Sequence, residues 1–324
     1  LNFKSYSNLT HDINSALPWL QEEDFDLIVG IPRSGMIPAY VIGLNLNILV
    51  TDLQSYIDNR SLSSGITRSP KKRVATCWEA NKVLLVDDSV LSGESIKVCL
   101  SQLPEHLVKR VKTLVVYGHS SRYDYIDKVV CQLSAPRVFE WNVFHRAMLA
   151  NTCVDIDGVL CVDPTEEVND DGPKYMHFLK TAKPMFIPSY RIHSLVTNRL
   201  EKYRTVTEDW LNTHGVVYDN LIMLGLDTAS DRLGQHDYFA HKSNYYKSQN
   251  FDLFIESSEV QSYHISKRTG KPVYCVDTNT LFKNDSSMSM LKNPSSLKRR
   301  LRLELSKYLP SFIKDFIKIV SRRK

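Results

Sequence analysis

Residues 83–95 read VLLVDDSVLSGES. Four apolar residues lead into two adjacent carboxylates, Asp87 and Asp88, and then into a short loop holding Ser89, Ser92, Gly93, Glu94 and Ser95. The pattern predicts a buried strand with the acid pair at its carboxyl end, a turn, and a helix from Ile96. In an open α/β sheet that is where a ligand binds. Two carboxylates side by side accept hydrogen bonds from a vicinal diol, such as the 2- and 3-hydroxyls of a ribose. A loop of small residues ahead of a helix turns backbone N–H groups and hydroxyls toward a phosphate. One strand end can therefore hold a ribose ring and its 5-phosphate.

The run resembles the motif with which type I phosphoribosyltransferases bind 5-phosphoribosyl pyrophosphate (PRPP): an apolar strand, an acid pair, then a Thr/Ser-Gly loop. Upstream, residues 25–31 (FDLIVGI) read as a buried strand running into Pro32-Arg33-Ser34-Gly35, with a helix over 36–46. The resemblance implies that this loop binds pyrophosphate, with Arg33 supplying charge and Ser34 and Gly35 letting the backbone approach the oxygens. A second strand is predicted at 48–51. Residues 58–80 have weak periodicity and contain Lys71, Lys72 and Arg73. The resemblance implies a mobile loop there that closes over PRPP and excludes water, with Arg68 or Lys71–Arg73 meeting the departing pyrophosphate; a plain solvated loop is the other reading. Strands at 112–116, 128–133 and 138–139 complete an alternation that argues a parallel sheet with helices on both faces. Near the start, Thr10 and Asp12 open a short helix, with Trp19 and Leu20 facing the core. Phe139, Trp141 and Phe144, near His145 and Arg146, suit either stacking on a sugar acceptor or packing between domains, and packing is expected. No stretch reads as a base-recognition segment.

The second half starts with residues 152–160, TCVDIDGVL, a predicted strand ending in Asp155-Ile156-Asp157-Gly158. Alternate residues at a strand end point the same way, so Asp155 and Asp157 share a face. The stretch resembles motif I of the haloacid dehalogenase-like (HAD) phosphatases. That resemblance implies that Asp155 attacks phosphorus, that Asp157 donates a proton to the leaving alcohol, and that Gly158 makes the turn. It also implies Mg²⁺ beside a lysine, to balance charge on the phosphorus. Residues 194–197 (SLVT) close a strand, with Thr197 on a phosphoryl oxygen. Asn198 and Arg199 follow, then a helix over 201–214 and a strand at 221–224. Lys242 is the family lysine, with Lys247 its rival. Residues 251–255 read as a strand ending at Glu256, and the resemblance implies Asp155, Asp157 and Glu256 as Mg²⁺ ligands, with Glu259 as the alternative last acid. A final strand covers 271–276. His193, His214 and His264 read as surface or core histidines. Only about thirty residues separate the first two motifs, a polar loop and a short helix over 174–182, which leaves the site with a minimal cap and open to a large substrate.

The 324 residues suit two domains: 1–149 as a phosphoribosyltransferase domain and 150–284 as a HAD-like domain, both α/β with doubly wound parallel sheets, followed by a linker and tail over 285–324. Six cysteines, at 77, 99, 131, 153, 161 and 275, show no ligand spacing and read as reduced thiols of a cytoplasmic protein. The start has no signal-peptide pattern, and the missing initiator Met suggests that the numbering begins inside the encoded chain. Net charge is +5, yet residues 298–324 alone carry ten basic and two acidic side chains, leaving the rest at −3. The body is thus no basic nucleic-acid binder. The tail alternates apolar and basic residues at helical spacing and is broken at Pro310. It fits an anionic membrane surface at the inner face of the cytoplasmic membrane, with a helix docked on the body as second reading and nucleic acid as third.

The two resemblances connect. Transfer from PRPP leaves a 5-phosphoribosyl group, and a phosphomonoesterase removes that phosphate. Together they imply β-ribofuranose delivered to a glycan acceptor, lipid-linked, as in the bifunctional modules of bacterial capsule and O-antigen assembly. The alternatives are a nucleobase salvage fusion and a PRPP-sensing regulator.

Overall fold

In the computed structural model, which describes residues 1–67, 69–226 and 239–291, the chain divides into two compact units, Leu1–Val143 and Phe144–Lys324. The basic tail and Arg68 lie outside the described residues. No helix among the described residues is long and apolar enough to cross a membrane.

The first unit opens with β1 (Asn2–Lys4), α1 (Tyr6–Asn14) and α2 (Leu17–Glu23). The expected helix starts earlier than Thr10, because Ser5 caps it: its hydroxyl accepts from the Asn8 N–H while the Asn8 side chain accepts from the Ser5 N–H. Next come β2 (Leu27–Gly30), α3 (Met36–Leu46), β3 (Leu49–Asp52), α4 (Leu53–Ile57), β4 (Val83–Val90), α5 (Glu94–Ser101), α6 (Glu105–Val108), β5 (Val111–Gly118), β6 (Lys128–Gln132) and β7 (Arg137–Phe139). Five strands form a parallel sheet in the order β3-β2-β4-β5-β6, and β1 pairs with β7 apart from it.

Side-chain alternation along β4 builds the layers. Leu84 and Val86 join Ile28, Leu114 and Val116 in a core with Leu9, Ile13, Ala39 and Ile42 from α1 and α3. Val83 and Leu85 join Leu27 and Val29 in the opposite core, with Leu53, Tyr56, Leu103 and Leu107. Both faces are covered, so these strands read as unbroken apolar runs. Phe139 and Trp141 correct an expectation: they pack on the first unit's own core, in a stack where Phe139 lies 5.3 Å from Tyr117 and 4.9 Å from Trp141.

The second unit contains β8 (Thr152–Val154), α7 (Pro173–Thr181), β9 (Ile192–Leu200), α8 (Arg204–Thr213), β10 (Tyr218–Leu224), α9 (Ala240–Ser248), β11 (Leu253–Glu256), α10 (Glu259–Thr269), β12 (Val273–Cys275) and β13 (Thr280–Phe282). Its sheet order is β10-β9-β8-β11-β12-β13. The pairings are parallel except the edge hairpin β12–β13, which is antiparallel and was not anticipated. Cys153, Val196, Phe254 and Val273 on the sheet pack with Tyr246 and Ile265 from α9 and α10. All six cysteines are free thiols.

Candidate functional site

Two polar sites lie at strand ends, one in each unit. In the first, β2 runs parallel to β4 with Gly30 opposite Val86, and the Ile31 N–H donates to the Val86 carbonyl. The loop 32–35 therefore leaves the sheet beside Asp87 and Asp88. Gly35 is needed for this closeness, since a Cβ there would meet the Ile31 and Val86 carbonyl oxygens at 2.5 and 2.7 Å. The Pro32–Arg33 peptide is cis.

Both acids are buried, Asp87 at 8% exposure and Asp88 at 3%. β4 continues past them to Val90, so the pair lies inside the last part of the strand. The Asp88 carboxylate is held from both oxygens: the Ser34 hydroxyl donates to Oδ1 at 2.8 Å and the Trp141 indole N–H to Oδ2 at 2.7 Å. Asp87 Oδ1 accepts the Asp88 N–H at 2.8 Å. Burial, together with the neighbouring Asp88 charge, pushes Asp87 up to about 8. Beyond the strand, Gly93 precedes α5 with φ +86°, and Ser92, Glu94 and Ser95 are exposed. The Ser92 hydroxyl accepts from the Glu94 N–H at 3.4 Å. Glu94 can serve a phosphate only through its backbone, since its carboxylate repels one; that carboxylate lies 3.7 Å from Lys97. Ser89 is half-buried on β4, and Arg33 is exposed in its loop.

Two lysines of the basic loop are engaged in ion pairs. Lys71 pairs with Asp24 at 2.8 Å, and Lys72 with Asp24 and Asp26 at 2.8 and 2.7 Å. These pairs draw both lysines to the loop before β2, and the two lysines hold the Asp24 carboxyl down at about 2. Arg73 remains exposed, donating to the Ser69 hydroxyl.

In the second unit, Asp155 follows β8 and Glu256 ends the neighbouring β11. Lys242, from α9, is buried between them, 2.7 Å from Asp155 Oδ2 and 2.6 Å from Glu256 Oε2. Burial pushes Asp155 well up against the pull of Lys242, while its two carboxylate partners outweigh burial and push Lys242 up. Glu256 Oε1 accepts the N–H groups of Ser257 and Ser258 at 3.1 Å each. Asp155 Oδ1 is buried without a hydrogen-bond partner. Lys247, the rival lysine, is exposed. Glu259 is buried at the start of α10, outside the Lys242 pair. Gly158 has φ +74°, and a Cβ there would lie 2.3 Å from the Ser257 hydroxyl.

Asp157 does not join Asp155 and Glu256. Arg199, fully buried, donates from Nη2 to Asp157 Oδ1 at 2.6 Å and from Nε to Oδ2 at 3.0 Å. The expected ligand trio is thus split, and among the described residues no three His, Cys, Asp or Glu side chains converge as a metal shell. Thr197 is buried inside β9 and not at its end; its hydroxyl accepts the Arg199 N–H at 3.2 Å. Arg199 was passed over in the sequence, although it stands two residues after Thr197 on one strand and so shares its face. Asp163 was also unmarked. Burial, then the charges of Asp157, Glu256 and Asp277, push it up to about 6. The histidines have structural partners: His214 stacks on Trp210 and His264 on Phe239.

Residues 5–150 match the family of phosphoribosyl transferase domains. The N-terminal part of the chain is a type I phosphoribosyltransferase domain. The xanthine-guanine phosphoribosyltransferase of Idiomarina loihiensis is 26% identical over 115 residues, covering 36% of this chain and 68% of that protein. That of Cereibacter sphaeroides is 24% identical over 121 residues, with the same coverage of 36% and 68%. Among solved structures, the purine phosphoribosyltransferase from Pyrococcus horikoshii Ot3 is 19% identical with a TM-score of 0.31, covering 43% of this chain and 92% of that one. The Helicobacter pylori xanthine-guanine-hypoxanthine enzyme is 18% identical with a TM-score of 0.33, covering 44% and 93%.

Proposed function

We propose that the chain transfers a 5-phosphoribosyl group from PRPP in its first unit and hydrolyses a phosphate ester in its second. The observation that carries the first step is the buried Asp87-Asp88 pair beside Ser34, with the Gly93 turn feeding α5. In this reading the pair receives the ribose hydroxyls, the α5 N-terminus with Ser92 and Ser95 the 5-phosphate, and Arg33, Ser34 and Gly35 the pyrophosphate. The acceptor attacks C1 in line, the C1–O bond to pyrophosphate breaks, and α-PRPP yields a β-linked product.

The second step is a HAD-type reaction by resemblance. Asp155 attacks phosphorus as the ester bond breaks, giving an aspartyl-phosphate and the free alcohol; water then releases phosphate and restores Asp155. Lys242 fixes Asp155 and offsets its charge, and Asp157, oriented by Arg199, is the group that would give the departing alcohol its proton, as the resemblance implies. A divalent cation such as Mg²⁺ would suit Asp155, because its Oδ1 is a buried oxygen without a hydrogen-bond partner and the charges of Glu256 and Asp157 act on it. Asp155 and Glu256 would hold it, and it would balance the charge of the phosphoryl oxygens.

The likeness to xanthine-guanine phosphoribosyltransferases favours a purine-like base as acceptor. A glycan hydroxyl is the second reading, supported by the Asp155 site on the same chain, which would leave a bare β-ribofuranose. Incubation with PRPP, Mg²⁺ and either purine bases or hydroxyl-bearing glycans, with pyrophosphate and phosphate followed separately, tests both. Pyrophosphate release with a base supports the first acceptor; release only with a glycan, followed by equimolar phosphate, supports the second. PRPP binding without release under any condition refutes the transferase reading and leaves a sensor.

A further inference from the structure

The Asp88 carboxylate is clamped before any ligand arrives. Its two oxygens are taken by donors from opposite ends of the unit: Ser34 in the loop after β2, and Trp141 just beyond β7. The indole is itself fixed. It lies 4.9 Å from Phe139 at an interplanar angle of 15°, Phe139 stacks in turn on Tyr117, and the Tyr6 ring packs 5.7 Å from it. Glu140, next in sequence, accepts the Tyr6 N–H at 2.9 Å. Trp141 therefore cannot swing without disturbing this stack.

We propose that Trp141 and Ser34 are positioning residues for ribose recognition, setting the plane of the Asp88 carboxylate so that its remaining lone pairs face the diol. The proposal rests on PRPP as the donor. An ionised carboxylate accepts at about four lone-pair sites. The two clamps use two of them, one on each oxygen, the adjacent Asp87 carboxyl is in hydrogen-bonding reach of a third, and what remains is directed at the substrate hydroxyls. A bond from a neutral donor to a charged carboxylate is among the stronger ones, and a carboxylate held at both oxygens loses little rotational freedom when the sugar binds. Ser34 belongs at once to the ribose clamp and to the loop assigned to pyrophosphate, so it links the two subsites. Trp141 serves the ribose alone. The Trp141 indole thus acts through its N–H as well as through its packed face.

The two roles separate in a binding experiment with three probes: PRPP, inorganic pyrophosphate and ribose 5-phosphate, each with Mg²⁺, measured by calorimetry. Trp141→Phe keeps the stack and removes the N–H. It should weaken PRPP and ribose 5-phosphate about tenfold and change pyrophosphate less than twofold. Ser34→Ala should weaken all three probes, because it removes a donor to Asp88 and a member of the pyrophosphate loop; ribose 5-phosphate affinity unchanged in this variant would overturn its part in the ribose clamp. Equal weakening of all three probes in Trp141→Phe would mean a general loss of structure and overturn the positioning role. PRPP affinity that is unchanged or improved would overturn it too, since the indole would then compete with the sugar. If the wild type binds none of the probes, the donor assignment fails, a result distinct from any variant-specific change.

Discussion

Asp87 bears the electrostatic cost of standing beside Asp88 inside a strand. Burial and its neighbour raise its folded pKa to about 8, whereas an unfolded chain returns it to roughly 3.9. Below that lower value both states hold the proton and nothing is lost. Between the two values only the unfolded state releases it, so stability falls as pH rises, by at most about 1.4 kcal/mol per unit. Above about 8 the loss is complete. Asp87→Asn cannot ionise and keeps an oxygen for the Asp88 N–H. Its melting temperature should exceed the wild type's by a margin that widens from pH 5 to pH 8 and then levels off; a margin independent of pH would contradict the burial argument. The acid pair itself was legible in the sequence, because adjacent carboxylates after an apolar run are rare without a purpose. Its clamp was not. Trp141 sits in a short 3₁₀ segment, Glu140–His145, kinked at Asn142, after a three-residue strand, where no periodicity says which way a ring points.

At the scale of elements, the legible parts were those whose side chains repeat. The apolar runs 83–86 and 27–29 stand out because each strand is covered on both faces. The helix over 36–46 was bounded by the Pro-Arg-Ser-Gly turn and is found as Met36–Leu46. Less legible were the long-range ties. Arg137, on the short β7, sends Nη2 to the Val90 carbonyl at 2.6 Å and Nη1 to the Tyr117 carbonyl at 3.3 Å. It thus holds the ends of β4 and β5 next to the phosphate turn. A single arginine before Val138 carries no sequence signal for that task. Arg137→Met keeps much of the aliphatic bulk and removes two charge-assisted donors, each worth about 1.5–3 kcal/mol. Urea unfolding should show a lower midpoint, with a total loss of about 3 kcal/mol and an unchanged slope. A loss below about 1 kcal/mol would show that the strand ends need no such tie.

For the whole molecule, each unit ends sheet strands in carboxylates whose oxygens are engaged by side chains from elsewhere in the same unit. In the first unit Ser34 and Trp141 occupy Asp88; in the second Lys242 occupies Asp155 Oδ2 and leaves Oδ1 open. The structure brings Asp155, Lys242 and Glu256 together, while Thr197 lies inside β9. The pairing of Asp157 with Arg199 did not follow from the sequence, because a strand face is shared by residues from several strands and one sequence does not say which of them meet. The proposed order of reactions makes the units separable by mutation. Asp155→Asn removes the attacking oxygen's charge and leaves the residues of the first site unchanged, so pyrophosphate release should keep its rate while phosphate release falls at least a thousandfold, in line with the large losses seen when a nucleophile is removed. A phosphorylated ribosyl product should then accumulate. The double variant Asp87→Ala with Asp88→Ala should abolish pyrophosphate release and still hydrolyse a ready-made phosphoribosyl ester. Phosphate appearing at the normal rate from Asp155→Asn would remove Asp155 as nucleophile, and hydrolysis lost in the double variant would mean that the two chemistries share one site.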